Sequence, residues 1–357
     1  MVRASEMAAW LLRRLGPEDA HEVAMRTLQS GLAGWARPDD PALACDVMGM
    51  RCPNPVGLAA GFDKDGRAIR GLARLGFGFI EAGTVTLHPQ KGNPSPRLFR
   101  LPAERAIINR MGFNGRGAKA FEANMHRLQR HGGSIVPLGI NIGLNKEGAH
   151  PLQDYPTLIN ALGPFARYMV INISCPNQQG VRAQQGADTI GAVLAAVRQQ
   201  CPVHPPLAIK LSPDLSSQDY PPLVEAAARS GASALVLTNT TTTRPGVGSP
   251  LASEVGGLSG RPLAQRAREV LRTVAACNEG RLVLISTGGI ESGRDVFERL
   301  CMGADLVQIY SSFIYDGPSV ISRIKRELLE AMRSHGLESI RQLRSERAEG
   351  RLRAHAC

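Results

Sequence analysis

Eight short apolar runs rich in β-branched residues alternate with helical segments from residue 46 onward, and polar residues recur at the C-terminal end of nearly every run. A stretch of helical pattern with no strand-like run, residues 1–40, precedes them. Alternating strands and helices build a parallel sheet, and about eight such units close it into a barrel. The sequence therefore predicts an α/β protein, a (β/α)8 TIM barrel over 41–340, with a small N-terminal helical domain and a basic C-terminal tail, 341–357. A chain of 357 residues suits a barrel of this kind with additions, since such barrels run roughly 250 residues and up.

In chain order, Ala8, Ala9, Leu11, Leu12 and Leu15 crowd one side of a first short helix, which Gly16-Pro17 breaks. Glu18 to Leu32 then carries Ala20, Val23, Ala24 and Leu28 at near-helical spacing. Two such helices suit a membrane-surface lid, a partner-binding hairpin or a helical cap on the core. Residues 46–51 read as a small hairpin. The barrel strands are predicted at 55–60, 77–83, 135–141, 168–173, 207–212, 234–239, 282–287 and 306–311. The stretch 86–116, dense in Pro, Gly, Asn and Arg, reads as a long functional loop over the barrel mouth. The arginine-rich tail reads as a frayed, solvated helix.

Composition narrows the function classes. The net charge is +11, with much of the excess at the two ends. Aromatic residues make up 4% and do not alternate with the basic ones, so no stacking platform for nucleic acid is expected. No apolar stretch approaches the ~20 residues that span a bilayer, and Trp10-Leu11-Leu12 is cut short by Arg13-Arg14, unlike a signal peptide. The seven cysteines form no C-x-x-C pair and the eight histidines no H-E-x-x-H, which argues against a metal site and for a reducing compartment.

The strand ends carry the candidate chemistry. Ala60-Gly61-Phe62-Asp63-Lys64 follows the first strand, Thr84 the second, Asn141 the third, and Asn172 the fourth. Lys210 ends the fifth, Thr238-Asn239-Thr240 the sixth, Gly288-Gly289 the seventh and Tyr310-Ser311 the eighth. Barrel active sites assemble at this face. Asn172-Ile173-Ser174-Cys175-Pro176-Asn177 places a thiol between two asparagines. Asparagines hold a polar planar ligand without titrating, and the thiol is a candidate base or nucleophile. The glycines of 256–260 and 288–289, beside helix starts, suit a phosphate. Lys64 and Lys210 suit developing negative charge or a carboxylate; pairing with Asp63 or Asp214, or Schiff-base chemistry at Lys210, are the alternatives.

Motifs through most of the chain resemble the dihydroorotate dehydrogenases of class 2, the quinone-dependent, membrane-associated kind. They include 17–21, 60–64, Gly92-Asn93-Pro94 to Arg97, 109–114, 139–143, 172–177, 238–241, 256–262 and 306–311. The resemblance implies an FMN-binding barrel with the helical domain at its mouth, oxidising dihydroorotate to orotate in pyrimidine synthesis. It implies that Lys64, Asn109, Asn172, Asn177, Asn239 and Thr240 hold the substrate, beside a loop of Arg110, Met111, Gly112 and Phe113. FMN is implied at Ala60, Gly61, Phe62, Asp63, Lys64, Thr84, Asn141, Asn172, Lys210, Thr238, Gly260, Gly289, Tyr310 and Ser311. His21, Arg100 and Tyr310 match positions that line a quinone tunnel. A monomer on the anionic, cytoplasmic face of the inner membrane is implied as well. The chain departs from the class 2 pattern at Cys175, the implied base, where serine is usual, at Gln178 where threonine is usual, and at Ser286-Thr287. Cysteine is the usual base of the soluble enzymes that use fumarate or NAD, which keeps those acceptors as an alternative.

Overall fold

The computed structural model describes Leu12 and residues 14–173 and 186–352. The first predicted helix, Cys175, Asn177 and Gln178 lie outside the described residues.

A hairpin, β1 (Cys45–Val47) and β2 (Met50–Cys52), precedes the barrel, as its sequence predicts. The eight barrel strands are β3 (Val56–Leu58), β4 (Phe79–Val85), β7 (Leu138–Ile142), β8 (Tyr168–Asn172), β9 (Leu207–Leu211), β10 (Ala234–Leu237), β12 (Val283–Thr287) and β13 (Leu306–Ile309). They pair in that order, all parallel, and β13 closes on β3. All eight predicted runs are strands of the barrel. Their buried faces on both sides explain why each reads as a continuous apolar run. Several predicted ends overshoot, because the polar residues there have already left the ladder for the mouth. The interior carries one polar knot: Glu81 accepts from Asn141 Nδ2 (2.7 Å), Gln308 Nε2 and the Tyr168 hydroxyl.

The stretch 86–116 is more than a loop. It contains β5 (Leu98–Leu101) and β6 (Ala106–Asn109), which pair antiparallel, and β11 (Gly257–Gly260) joins β6. This small sheet packs Leu101, Ala106, Ile108 and Leu258 into its own core over the mouth. Its third strand comes from far along the chain, so no local pattern announces it.

Helix α1 (Pro17–Ser30) begins with proline and two acids in its first turn and ends at Gly31, whose φ of 78° is left-handed. It buries Ala20, Met25 and Leu28, and it contacts β5 and the short helix α2 (Ile69–Arg74). Gly71 of α2 lets it approach: a Cβ there would stand 2.2 Å from the Leu28 carbonyl oxygen. Two ion pairs fasten α1 to the barrel, Glu18–Arg97 at 2.8 Å and Glu22–Arg67 at 2.9 Å.

The remaining helices are α3 (Gly117–Arg130), α4 (Pro151–Leu162), α5 (Ala187–Gln200), α6 (Tyr220–Arg229), α7 (Ala264–Asn278), α8 (Gly293–Cys301), α9 (Ser311–Asp316), α10 (Ser319–Ser334) and α11 (Ile340–Ala348). Helix α11 corrects the expectation of a frayed, solvated tail. Ile340 and Leu343 are fully buried, and Arg344 and Arg347 both reach Asp305 at 3.0 Å. Its charge masked a packed face. No helix among the described residues is long and apolar enough to cross a membrane.

Candidate active site

A cavity of about 460 Å³ opens at the C-terminal ends of the barrel strands, roofed by the small sheet and walled on one side by α1. Its floor comes from strand ends: Ala60 and Gly61 after β3, Thr84 in β4, Asn172 in β8, Lys210 in β9 and Thr238 after β10. Lys210 is 5% exposed, and its ammonium makes no hydrogen bond or ion pair among the described residues. The two carboxylates that could have paired with it are engaged elsewhere. Asp63 accepts from the backbone N–H groups of Arg67 (2.8 Å) and Ala68 (2.7 Å), and Asp214 accepts from Thr241 and Thr242. A buried ammonium facing a cavity calls for an anion or an electron-rich acceptor there.

One end of the cavity is made of backbone. Gly260, Gly288, Gly289 and the first residues of α9, Ser311 and Ser312, line it. Gly289 sits at φ 69°, so close to the start of α7 that a Cβ would lie 2.4 Å from Ala264 Cα. Such close backbone with open N–H groups fits a phosphate.

The opposite side carries titratable groups. Burial, aided by Arg97, pulls the Lys64 ammonium down to about 8, while its Nζ donates to Asn114 Oδ1 at 2.8 Å. Burial raises Asp63 to about 6 against its two N–H donors. Burial and then the Lys64 charge lower His21 to about 4, so its ring is neutral at pH 7. That ring meets Phe62 edge-on at 5.0 Å, and Phe62 in turn meets Tyr310 at 6.4 Å.

The family model described as dihydroorotate dehydrogenase matches residues 42–332. The chain belongs to the dihydroorotate dehydrogenase family. The "Dihydroorotate dehydrogenase (quinone)" of Rhodospirillum rubrum is 47% identical over 93% of this chain and 92% of its own length. The mitochondrial "Dihydroorotate dehydrogenase (quinone)" of Mus musculus is 41% identical over 92% of this chain and 86% of its own. The ligand-free DHODH crystal structure from Eimeria tenella superposes with a TM-score of 0.88 at 36% identity, covering 92% of this chain and 98% of that one.

Within this dihydroorotate dehydrogenase fold, most of the sequence-predicted site residues converge on the cavity. Besides those above, Phe62, Asn109, Met111, Gly112, Phe113, Asn239, Thr240 and Tyr310 line it. Three predicted residues do not. Arg110 turns outward, pairing with Glu254 (2.6 Å) and lying over the Phe99 ring. Asn141 points into the barrel knot and accepts from Thr84 at 2.6 Å, so it supports the wall from behind. Arg100 lines a second cavity of about 620 Å³ with Pro17, Phe99, Leu251 and Tyr315, and donates to the Leu15 carbonyl. Leu98 lines both cavities. Sequence reasoning passed over Asn114, Gln308 and Glu18 as site residues, although all three lie in quoted motifs; Ser259, in another, was also missed.

Proposed function

We propose that the protein oxidises (S)-dihydroorotate to orotate, with FMN as the bound hydride acceptor and a membrane quinone as the final one, in de novo synthesis of UMP. The observation that carries this reading is Lys210, a buried ammonium without a protein partner among the described residues, facing a cavity that ends in glycine backbone. An anionic cofactor with a phosphate at one end answers both features. When bound, FMN supplies the acceptor for the substrate's hydride and the route for two electrons to quinone.

The protein's own residues bind, orient and move the proton. Gly260, Gly289 and Ser311 would hold the phosphate, and Ala60, Gly61, Thr84, Asn172, Lys210 and Thr238 the ring system. Lys64 is the partner for the substrate carboxylate; Asn109, Asn172, Asn177, Asn239 and Thr240 suit its amide edges. Cys175 takes the proton from carbon 5 as the hydride leaves carbon 6. A thiol titrates near pH 8.5, far below an alcohol, so it is the better base at neutral pH.

The quinone would enter through the second cavity, past Leu98, to the neutral imidazole of His21. Exposed Leu15, Val23, Leu32 and Trp35 along the N-terminal segment support contact of a monomer with an anionic membrane, peripherally and on the cytoplasmic face of the inner membrane.

The test compares dihydroorotate oxidation by the detergent-purified full chain with a soluble ubiquinone analogue and with fumarate. Turnover with the quinone alone is expected. Preference for fumarate overturns the acceptor, and colourless protein overturns the flavin. Cys175→Ser should move the acid limb of the pH profile upward; coincident profiles would refute Cys175 as the base.

A further inference from the structure

Behind the glycine end of the cavity lies Arg299 of α8, fully buried and absent from the cavity lining. Its Nη1 donates to Ser286 Oγ, and its Nη2 to the carbonyls of Gly288 and Ala264, each at 3.0 Å. These acceptors belong to β12, to the turn that follows it, and to the first residue of α7. No carboxylate pairs with Arg299 among the described residues; Glu298 and Asp295 act on it from farther off, as does the Arg268 charge. Burial lowers its pKa to about 10, which leaves it charged at neutral pH. A buried charge without a paired counter-ion is costly; two carbonyl dipoles and the Ser286 hydroxyl offset it here, with the more distant Glu298 and Asp295 adding to them.

The direction of those dipoles matters. The Gly288–Gly289 peptide is trans, so its carbonyl and its N–H point to opposite sides. The carbonyl faces Arg299. The Gly289 N–H therefore points away from Arg299, Gly289 lines the cavity, and this N–H has no acceptor among the described residues. Ser286 explains itself by the same contact: its fully buried hydroxyl supplies the third acceptor.

We propose that Arg299 is a positioning residue for the cofactor phosphate. It pins the Gly288 carbonyl, aims the Gly289 N–H into the cavity, and sets a buried positive charge one peptide behind the anion. The inference rests on the FMN reading above and deepens it.

The experiment measures flavin preference rather than turnover. The flavin released from the full-length wild-type protein is identified by mass. Holoenzymes of the wild type, Arg299→Met and Arg299→Lys are then incubated with mixtures of FMN and riboflavin, and the bound flavins are separated by chromatography. Arg299→Met should lose about tenfold or more of its preference for FMN, equivalent to about 1.4 kcal/mol. Its hold on riboflavin, which lacks the phosphate, should stay within about twofold, and Arg299→Lys should restore the preference. Equal loss of both flavins would make Arg299 merely structural and overturn the proposal, as would an unchanged preference. Wild-type protein that releases a flavin other than FMN would instead overturn the cofactor reading. If Arg299→Met does not fold, Ser286→Val with Arg299→Met removes the stranded hydroxyl and carries the same comparison, as does Arg299→Gln.

Discussion

Replacing Gly71 with alanine should separate the two halves of the reaction. Gly71 stands in α2 where α1 crosses it, and the added Cβ would lie 2.2 Å from the Leu28 carbonyl oxygen. Ordinary contact begins near 3.4 Å, so α1 must retreat by about 1.2 Å. Overpacking of this kind costs about 1–3 kcal/mol. Helix α1 is held by three buried side chains and two ion pairs, and it is the element with least to lose by moving. If the strain falls on docking of α1, the docked population falls roughly 5- to 160-fold relative to the undocked one. Glu18, His21, Glu22 and Met25, all on α1, wall one side of the cavity. Asn109, Asn172, Asn239 and Thr240, proposed above to hold the substrate, come from other elements. Gly71→Ala should therefore raise the quinone KM several-fold. Dihydroorotate oxidation with a small water-soluble dye should keep its KM and kcat within about twofold. Steady-state kinetics with both acceptors on detergent-purified protein make the test, with a thermal melt to confirm folding. Equal losses with both acceptors, or an unchanged quinone KM, would refute the assignment of α1 to the acceptor side.

The Lys64 ammonium, held down at about 8, is charged below that pH and neutral above it. Carboxylate binding is present below and lost above, so the dihydroorotate KM should rise about tenfold per pH unit above 8, and Lys64→Met should have a high KM with no such limb; a flat wild-type KM to pH 9.5 would refute the role. Asp305 holds α11 through two arginines and also accepts from the Leu284 N–H of the barrel. Removing one partner of a largely buried ion pair costs about 3 kcal/mol, so Asp305→Ala should lower Tm by roughly 4 °C with kcat unchanged; an unaltered melt would mean α11 is not fastened there.

What was legible in the sequence follows from where each residue's partners lie. The barrel strands announce themselves because both of their faces are buried, which leaves only apolar runs such as Tyr168–Ile171. The end of a strand announces the site because polar residues survive there only if the mouth uses them. That rule works to within one residue. Asn172 closes β8 and reaches the cavity, whereas Asn141 stands one place before the end of β7, and its side chain turns to Glu81 inside the barrel. Arg110 was placed by motif alone, and a motif does not say which way a long side chain turns. Arg110 follows the nearest carboxylate, Glu254, out of the cavity. The sheet of β5, β6 and β11 and the seat of α11 were illegible for one shared reason. Their partners are distant in the chain, and their sequences look like a loop and a solvated tail until those partners cover them.

Arg67 carries this logic into the function. Its backbone N–H binds the Asp63 carboxylate and so fixes the turn that carries Ala60 to Lys64. Its guanidinium binds Glu22 of α1 at two points, 2.9 and 3.1 Å. One residue thus ties the strand end that presents Lys64 to the helix that presents His21. Sequence spacing gives no hint of this link, since 45 positions separate the partners. The pair is partly exposed, and such pairs add little to stability, so its value lies in position. Loosening it would let the α1 wall drift from the barrel while the fold persists, which is the kind of change that alters the traffic of an acceptor before it alters the chemistry of the substrate.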